Sequence, residues 1–383
     1  MNVTATIRKT GLRKTAGFLA VLLLCLVLLP PGSLAEFSES STVFDYDLAQ
    51  YAMQIAELCY TPSMQERILS IGGYRQAGVF NTDRTEQDRR HIAAYAVYDR
   101  TLEDGSTGIV IAIRGTGDGE WPLNMELMPS GNYDLPYAEN FFLAAEDILT
   151  AQEDYLSSCS SPVFLITGYS RGAAVANVLG AQLTERFGEE SVFVYTFATP
   201  RTVRGEFKAY SNIFNIVNPA DLVTYLPLPQ WGFQRYGTDI ELPVENDSLL
   251  SDARKAYEER TDRTGSFPSF TGSVAAVQQL VSAMASLAPD PKSAATVSHA
   301  LAHPGEASDG EPGVTAADFM LGLFEGTMFV PQGTGTQPDE SAAQAENDFA
   351  PLLSILQSGG LGASLLNMHM PATYGAWLKA AEK

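Results

Sequence analysis

The chain has 383 residues, 45% of them hydrophobic and 18% charged, a globular composition with enough apolar material for a sizeable core. Its 45 acidic residues outnumber 24 basic ones, giving a formal net charge of −21; such a surface repels nucleic acid and anionic membranes, and no nucleic-acid partner is expected. The four histidines have no ligand spacing among themselves or with the three cysteines, so no metal site is expected either.

Residues 1–35 read as a leader. Arg8, Lys9, Arg13 and Lys14 form a basic segment, residues 16–29 are an uninterrupted apolar run, and Ser33 and Ala35 supply small residues ahead of a cut before Glu36. The run is short of the roughly 20 apolar residues that a membrane span needs. The expectation is a cleaved secretory signal and an exported protein, with an uncleaved N-terminal membrane anchor as the alternative. Cys25 belongs to the leader. Cys59 and Cys159 remain, and either one bridge or two free thiols suits an exported chain.

Beyond the leader, "FDYDLAQYAMQIAELCY" (44–60) places Leu48, Tyr51, Ala52, Ile55 and Leu58 on one helical face. "HIAAYAVYD" (91–99) and "GIVIAIRGT" (108–116) read as strands, the second apolar enough to be central in a sheet. A helix is predicted over 136–156 with Phe141, Ala144, Ile148 and Ala151 inward. "VFLITG" is a strand and 171–187 a helix; 191–198 and 212–218 are strands again, and "FQRYGTDIEL" reads as a hairpin. Strands alternating with helices predict an α/β fold, a mostly parallel sheet covered on both faces, over 36–245. Residues 246–350, rich in Ala, Ser, Gly, Pro and charge, read as a helical insert or cap over one end of the sheet. Their helices are one capped by Ser273, with Val274, Val277, Val281, Met284 and Ala288 on a stripe, and one over 315–326. Residues 351–383 return to the core.

Within this frame "VFLITGYSRGAAVANVLG" stands out. A Gly-x-Ser-x-Gly match alone is weak, but a buried strand entering it and a small-residue helix leaving it make the sharp turn that lifts a serine hydroxyl above a sheet. Ser170 is the candidate nucleophile, and Gly168 and Gly172 remove side chains that would collide across the turn. A serine hydroxyl needs a histidine to take its proton and a carboxylate to orient that histidine. Asp221, after the strand in "NIFNIVNPADLVTYLP", fits the carboxylate; a cap on the following turn is its other reading, and Asp239 is its nearest rival. If the histidine follows the aspartate in the chain, His91 is excluded and His299, His303 and His369 remain. His369 in "NMHMPATYGAWLKA" is preferred, because a loop there can return to the carboxyl end of the sheet. Oxyanion donors would be the backbone N–H groups of Arg171 and of Thr116 in "IAIRGTGDGEW", a segment that is otherwise only a glycine-rich strand end. That segment lacks the spacing of a phosphate cradle.

Four pieces in fixed order, "IAIRGTGDGEW", "ITGYSRGAAVAN", "YTFATPR…FNIVNPADLVTYLP…GFQRYG" and "HMPATY", resemble the class 3 lipases, the group of the fungal triacylglycerol lipases, and their secreted bacterial branch. The resemblance spans roughly 45–240 and 365–380. It implies an α/β-hydrolase fold, a Ser170–His369–Asp221 triad, oxyanion donors at Thr116 and Arg171, and chemistry without a metal or other cofactor. The chain departs from the fungal pattern in a much longer path from aspartate to histidine. It also lacks a clear amphipathic lid helix in "WPLNMELMPSGNYDLPYAENF", and Tyr137 begins the stretch where the family has a histidine. The expected function is a secreted serine hydrolase of carboxylic esters, with acylglycerol-type lipids as substrate and transient contact with a lipid interface. A short-chain esterase and a non-catalytic surface protein that keeps the fold are the alternatives.

Overall fold

The computed structural model describes residues 37, 40–77, 93–116, 128, 130, 132, 134–287 and 367–382. The apolar run "IVIAI" lies in β3 (Thr107–Ile113), which is flanked by β2 (Tyr95–Thr101) and β4 (Pro162–Tyr169). Further strands are β1 (Arg75–Gln76), β5 (Val192–Phe197), β7 (Ile213–Val217) and β9 (Thr238–Glu241). The seven form one sheet in the order β1-β2-β3-β4-β5-β7-β9. β1, β2 and β3 pair antiparallel, and every pairing from β3 to β9 is parallel. β6 (Val203–Arg204) and β8 (Phe233–Gln234) make a small antiparallel pair beside it.

The helices are α1 (Tyr46–Leu58), α2 (Pro62–Ile71), α3 (Glu139–Ser158), α4 (Arg171–Phe187), α5 (Leu250–Thr261), α6 (Ser273–Leu287) and α7 (Pro371–Ala381). Strand side chains alternate between two cores, as the period of two demands. Val110, Ala112, Leu165, Tyr169, Phe193, Tyr195 and Phe197 face the helices α1 and α7. Ile109, Ile111, Ile113, Phe164, Ile166, Val192 and Val194 face α3 and α4. Both faces of the sheet are therefore covered, and its parallel strands are apolar on both sides. This is the α/β-hydrolase arrangement. Among the described residues no helix is long and apolar enough to cross a membrane.

Several local expectations are corrected. Ala151 is exposed; α3 buries Gln152 instead, whose amide donates to the Tyr95 hydroxyl at 3.0 Å. The inward stripe 141-144-148-152-156 drifts one residue because a helix advances by 3.6, not 3.5. "FQRYGTDIEL" is not a hairpin: β8 pairs with β6, while β9 adds parallel to β7. Gly237 allows that change of sheet, with φ +83 and no room for a Cβ against Ile213. Ser273 does not cap α6 by accepting a bond; its hydroxyl donates to the Ser269 carbonyl at 3.1 Å. Val274, Val277, Leu280 and Val281 form the buried face of α6, and Ala253 of α5 and Val274 of α6 join the core under α1. Ala288 and the helix predicted over 315–326 lie outside the described residues.

Candidate active site

β4 lies mid-sheet and ends at Tyr169, and α4 starts at Arg171, which leaves a single residue to turn the corner. That residue is Ser170, with φ 55 and ψ −125. A non-glycine side chain in this region costs about 1–3 kcal/mol, so the surroundings must hold it. They do: the Ser170 N–H donates to the Phe197 carbonyl at 2.9 Å, and its carbonyl accepts from Ala173 and Ala174 at 2.9 and 3.1 Å. A Cβ on Gly168 would strike the Gly172 carbonyl, and one on Gly172 would strike the carbonyls of Ile113 and Arg114. Helix and strand can approach this closely only without those two side chains.

Asp221 arrives from β7. Asn218 folds the connection by accepting the Ala220 N–H on its own side chain at 2.9 Å, while its carbonyl accepts the Asp221 N–H at 2.9 Å. Asp221 then serves both of its sequence readings with different oxygens. Oδ1 caps the 3-10 turn Leu222–Tyr225 through the Val223 N–H at 3.0 Å, and Oδ2 lies 2.8 Å from His369 Nδ1. His369 Nε2 in turn lies 2.9 Å from Ser170 Oγ. All three residues are buried, at 6% (Ser170), 1% (Asp221) and 7% (His369) exposure. With the proton on Nδ1 donated to Asp221, Nε2 is left to accept from the serine hydroxyl. Asp239 takes no part in this chain of bonds; it pairs with Arg235. His91, His299 and His303 lie outside the described residues.

Thr116 follows the end of β3. A Cβ on its neighbour Gly115 would touch the Tyr169 carbonyl, the Ser170 Cβ and the Tyr60 hydroxyl, so this strand end lies directly against the elbow. Arg171 is in the first turn of α4, where N–H groups point out of the helix N-terminus. Its side chain is not incidental. It is buried, with the guanidinium carbon 5.8 Å from the Phe141 ring centroid, and so ties α4 to α3 by a cation–π contact.

Four contributors to the site had no role in the sequence reading. The Tyr374 hydroxyl donates to Asp221 Oδ2 at 2.7 Å and accepts the Asn218 N–H at 3.1 Å. The Tyr169 hydroxyl donates to the His369 carbonyl, and Asn218 Nδ2 donates to the Met368 carbonyl at 3.0 Å. Burial, then the nearby Asp221 charge, holds both the Tyr169 and Tyr374 phenols well above their ordinary range, so both remain donors. Tyr60, half exposed, stands over Gly115 at the rim. The only signal for Tyr374 was its place in "HMPATY", five residues past the histidine. No group of acidic, histidine and cysteine side chains able to hold a metal ion occurs among the described residues.

A strained serine at a strand–helix corner, above a parallel sheet and hydrogen-bonded to a histidine, defines a serine hydrolase of the α/β-hydrolase fold. Residues 110–231, the span from β3 through the elbow to the Asp221 turn, match the family model Lipase (class 3), a match that supports a carboxylic ester hydrolase. No curated protein sequence matches it. Among solved structures, it is similar to a triacylglycerol lipase whose catalytic centre is a serine-protease triad, at 17% identity over 54% of this chain and 82% of that one, TM-score 0.41. The lipase of Rhizopus microsporus var. chinensis is also 17% identical, over 56% of this chain and 81% of its own, TM-score 0.39. The Rhizomucor miehei lipase in complex with its propeptide gives 17% over 54% and 68%, TM-score 0.40. Likenesses at these scores add no argument beyond the family match.

Proposed function

We propose that the protein is an exported lipid-ester hydrolase working through Ser170, His369 and Asp221. The observation that carries this reading is the continuous bond path from Ser170 Oγ through the imidazole to Asp221 Oδ2, at 2.9 and 2.8 Å. Ser170 Oγ attacks the ester carbonyl while His369 Nε2 takes its proton, and Asp221 holds the Nδ1–H and stabilises the imidazolium. The backbone N–H groups of Arg171 and Thr116 receive the developing oxyanion. His369 then protonates the leaving alcohol, and water, activated by the same imidazole, releases the acid. Two exposed apolar side chains beside the site, Met370 directly after His369 and Tyr60 over Gly115, support an acyl substrate and a passing contact with a lipid interface. The basic-then-apolar leader supports export.

The test is a hydrolysis profile across p-nitrophenyl esters of rising chain length, with Ser170→Ala beside the parent. Rates should rise from acetate toward medium chains, and the variant should lose at least about 10³-fold in kcat/KM. Equal rates for variant and parent would sink the assignment, and a preference for acetate would replace lipid by short-chain esters. N-terminal sequencing of exported material should begin at Glu36; a retained leader would point to the anchored form.

A further inference from the structure

We infer that Tyr374 is a positioning residue of this triad, its hydroxyl fixing Asp221 and sharing that carboxylate's charge with His369. The inference rests on the proposed triad and goes beyond it. His369 and Asp221 are 148 residues apart in sequence, so chain connectivity does not set their relation. One hydroxyl does. Tyr374 lies on α7, five residues past His369, and accepts the N–H of Asn218, three residues before Asp221, at 3.1 Å. With that amide on its oxygen, the phenol directs its own hydrogen at Asp221 Oδ2, 2.7 Å away. The ring itself is locked edge-on against Tyr169, centroids 5.7 Å apart at 87°.

Asp221 Oδ2 consequently carries two donors, the phenol and His369 Nδ1, while Oδ1 is held by the Val223 amide. A carboxylate oxygen that already accepts a bond from a neutral donor attracts an imidazolium less strongly than a bare one. Tyr374 thereby shares the carboxylate's charge with the imidazole, at the same time as it fixes the carboxylate's orientation. Among the described residues, the other titratable or charged groups around this carboxylate are Tyr169 from β4, Glu57 and Tyr60 at the end of α1, Tyr225 on the following turn, and Glu241 of β9 beside Tyr225. Arg201 and Arg235 lie behind Tyr225, and Arg260 of α5 packs against Gly375. All of them persist when only the phenol oxygen is removed.

The test compares Tyr374→Phe and Tyr169→Phe with the parent in the pH profile of kcat/KM, alongside an NMR titration of the His369 imidazole. The NMR arm needs no turnover, so an inactive parent would count against the triad while leaving this inference decidable. Tyr374→Phe should move the acid limb and the imidazole midpoint up by about 0.5–1 pH unit. Tyr169→Phe, which loses a bond to the His369 carbonyl and none to the carboxylate, should lower kcat with the limb in place. Replacing Tyr374 by 3-fluorotyrosine, a stronger donor of nearly the same shape, should move the limb the other way. A Tyr374→Phe limb and midpoint coincident with the parent's would overturn the inference, as would an equal displacement in Tyr169→Phe.

Discussion

Arg235 and Asp239 form a 2.6 Å ion pair in which the guanidinium is almost wholly buried and the carboxylate is partly exposed. The same guanidinium donates to the Thr199 carbonyl at 2.6 Å and to the Thr224 carbonyl, on the turn that Asp221 caps. Asp239 therefore belongs to the scaffold behind the loop that carries Asp221, where it also accepts from Asn215 at 3.2 Å. Two aspartates that compete as sequence candidates are divided by their partners, one facing an arginine and the other a histidine.

This division gives the first prediction. Asp221→Asn should leave the fold intact and lower kcat by about 10³–10⁴-fold, because the imidazole loses the acceptor that fixes its tautomer. Asp239→Asn should keep its turnover and lose stability instead, by about 1–2 kcal/mol, since a buried guanidinium is left with a neutral partner and the pair was partly exposed. Urea unfolding and ester hydrolysis on both variants separate the roles. A hydrolysis defect as large in Asp239→Asn as in Asp221→Asn would contradict it.

The second prediction concerns the elbow. A methyl group at Gly172 has only backbone to meet, the carbonyls of Ile113 and Arg114, and backbone does not swing aside as a flexible side chain does. Gly172→Ala should therefore lower stability by about 3 kcal/mol or more, through forced separation of α4 from β3. Gly188 offers the contrasting case: its φ is +87 but nothing lies within 4 Å of a Cβ. Gly188→Ala should cost less, about 2 kcal/mol, the strain of an alanine held at φ 87 and ψ 155, a region that only glycine adopts readily. Thermal unfolding of the two variants checks the order, and equal losses would mean that packing at the elbow is looser than the carbonyl contacts require.

The elbow was also the most legible part of the sequence. A continuous apolar run ending in Gly-Tyr-Ser-Arg-Gly, then alanines at helical spacing, place Ser170 almost without tertiary information, because the constraint is local. Asp221 could be named for similar reasons: a strand, then Asn218 and Pro219, then an apolar turn. Gln152 and Tyr374 could not, since each is defined by a partner far along the chain, Tyr95 in one case and Asp221 in the other. The Gly237 crossover was missed because a glycine between two short polar-flanked runs has the composition of a hairpin. Only the open edge of β7 decides that β9 joins the main sheet.

The cysteines carry the last prediction. Both are free: Cys59 is buried at the end of α1, where its sulfur accepts from Gln65 at 3.1 Å, and Cys159 is partly exposed at the end of α3. Burial pushes the Cys59 thiol from 9.0 up to about 12, against a smaller opposing effect of the Gln65 bond. Two consequences can be measured. At mild alkaline pH a thiol reagent should modify Cys159 in the native protein and reach Cys59 only after unfolding, as peptide mapping would reveal. Stability also responds to pH. Below about pH 9 both native and unfolded thiols keep their protons and no penalty arises. Between about 9 and 12 the unfolded thiol ionises while the native one does not, so unfolding gains about 1.4 kcal/mol per pH unit from this group alone. Tyr169 and Tyr374, held well above 10 by burial, add to the decline from about pH 10 upward. Urea midpoints should therefore fall more steeply above pH 9 in the parent than in Cys59→Ala, once each is referred to its own midpoint at pH 8. Parallel curves, or labelling of native Cys59 at the rate of Cys159, would mean that this thiol is not sealed in the core.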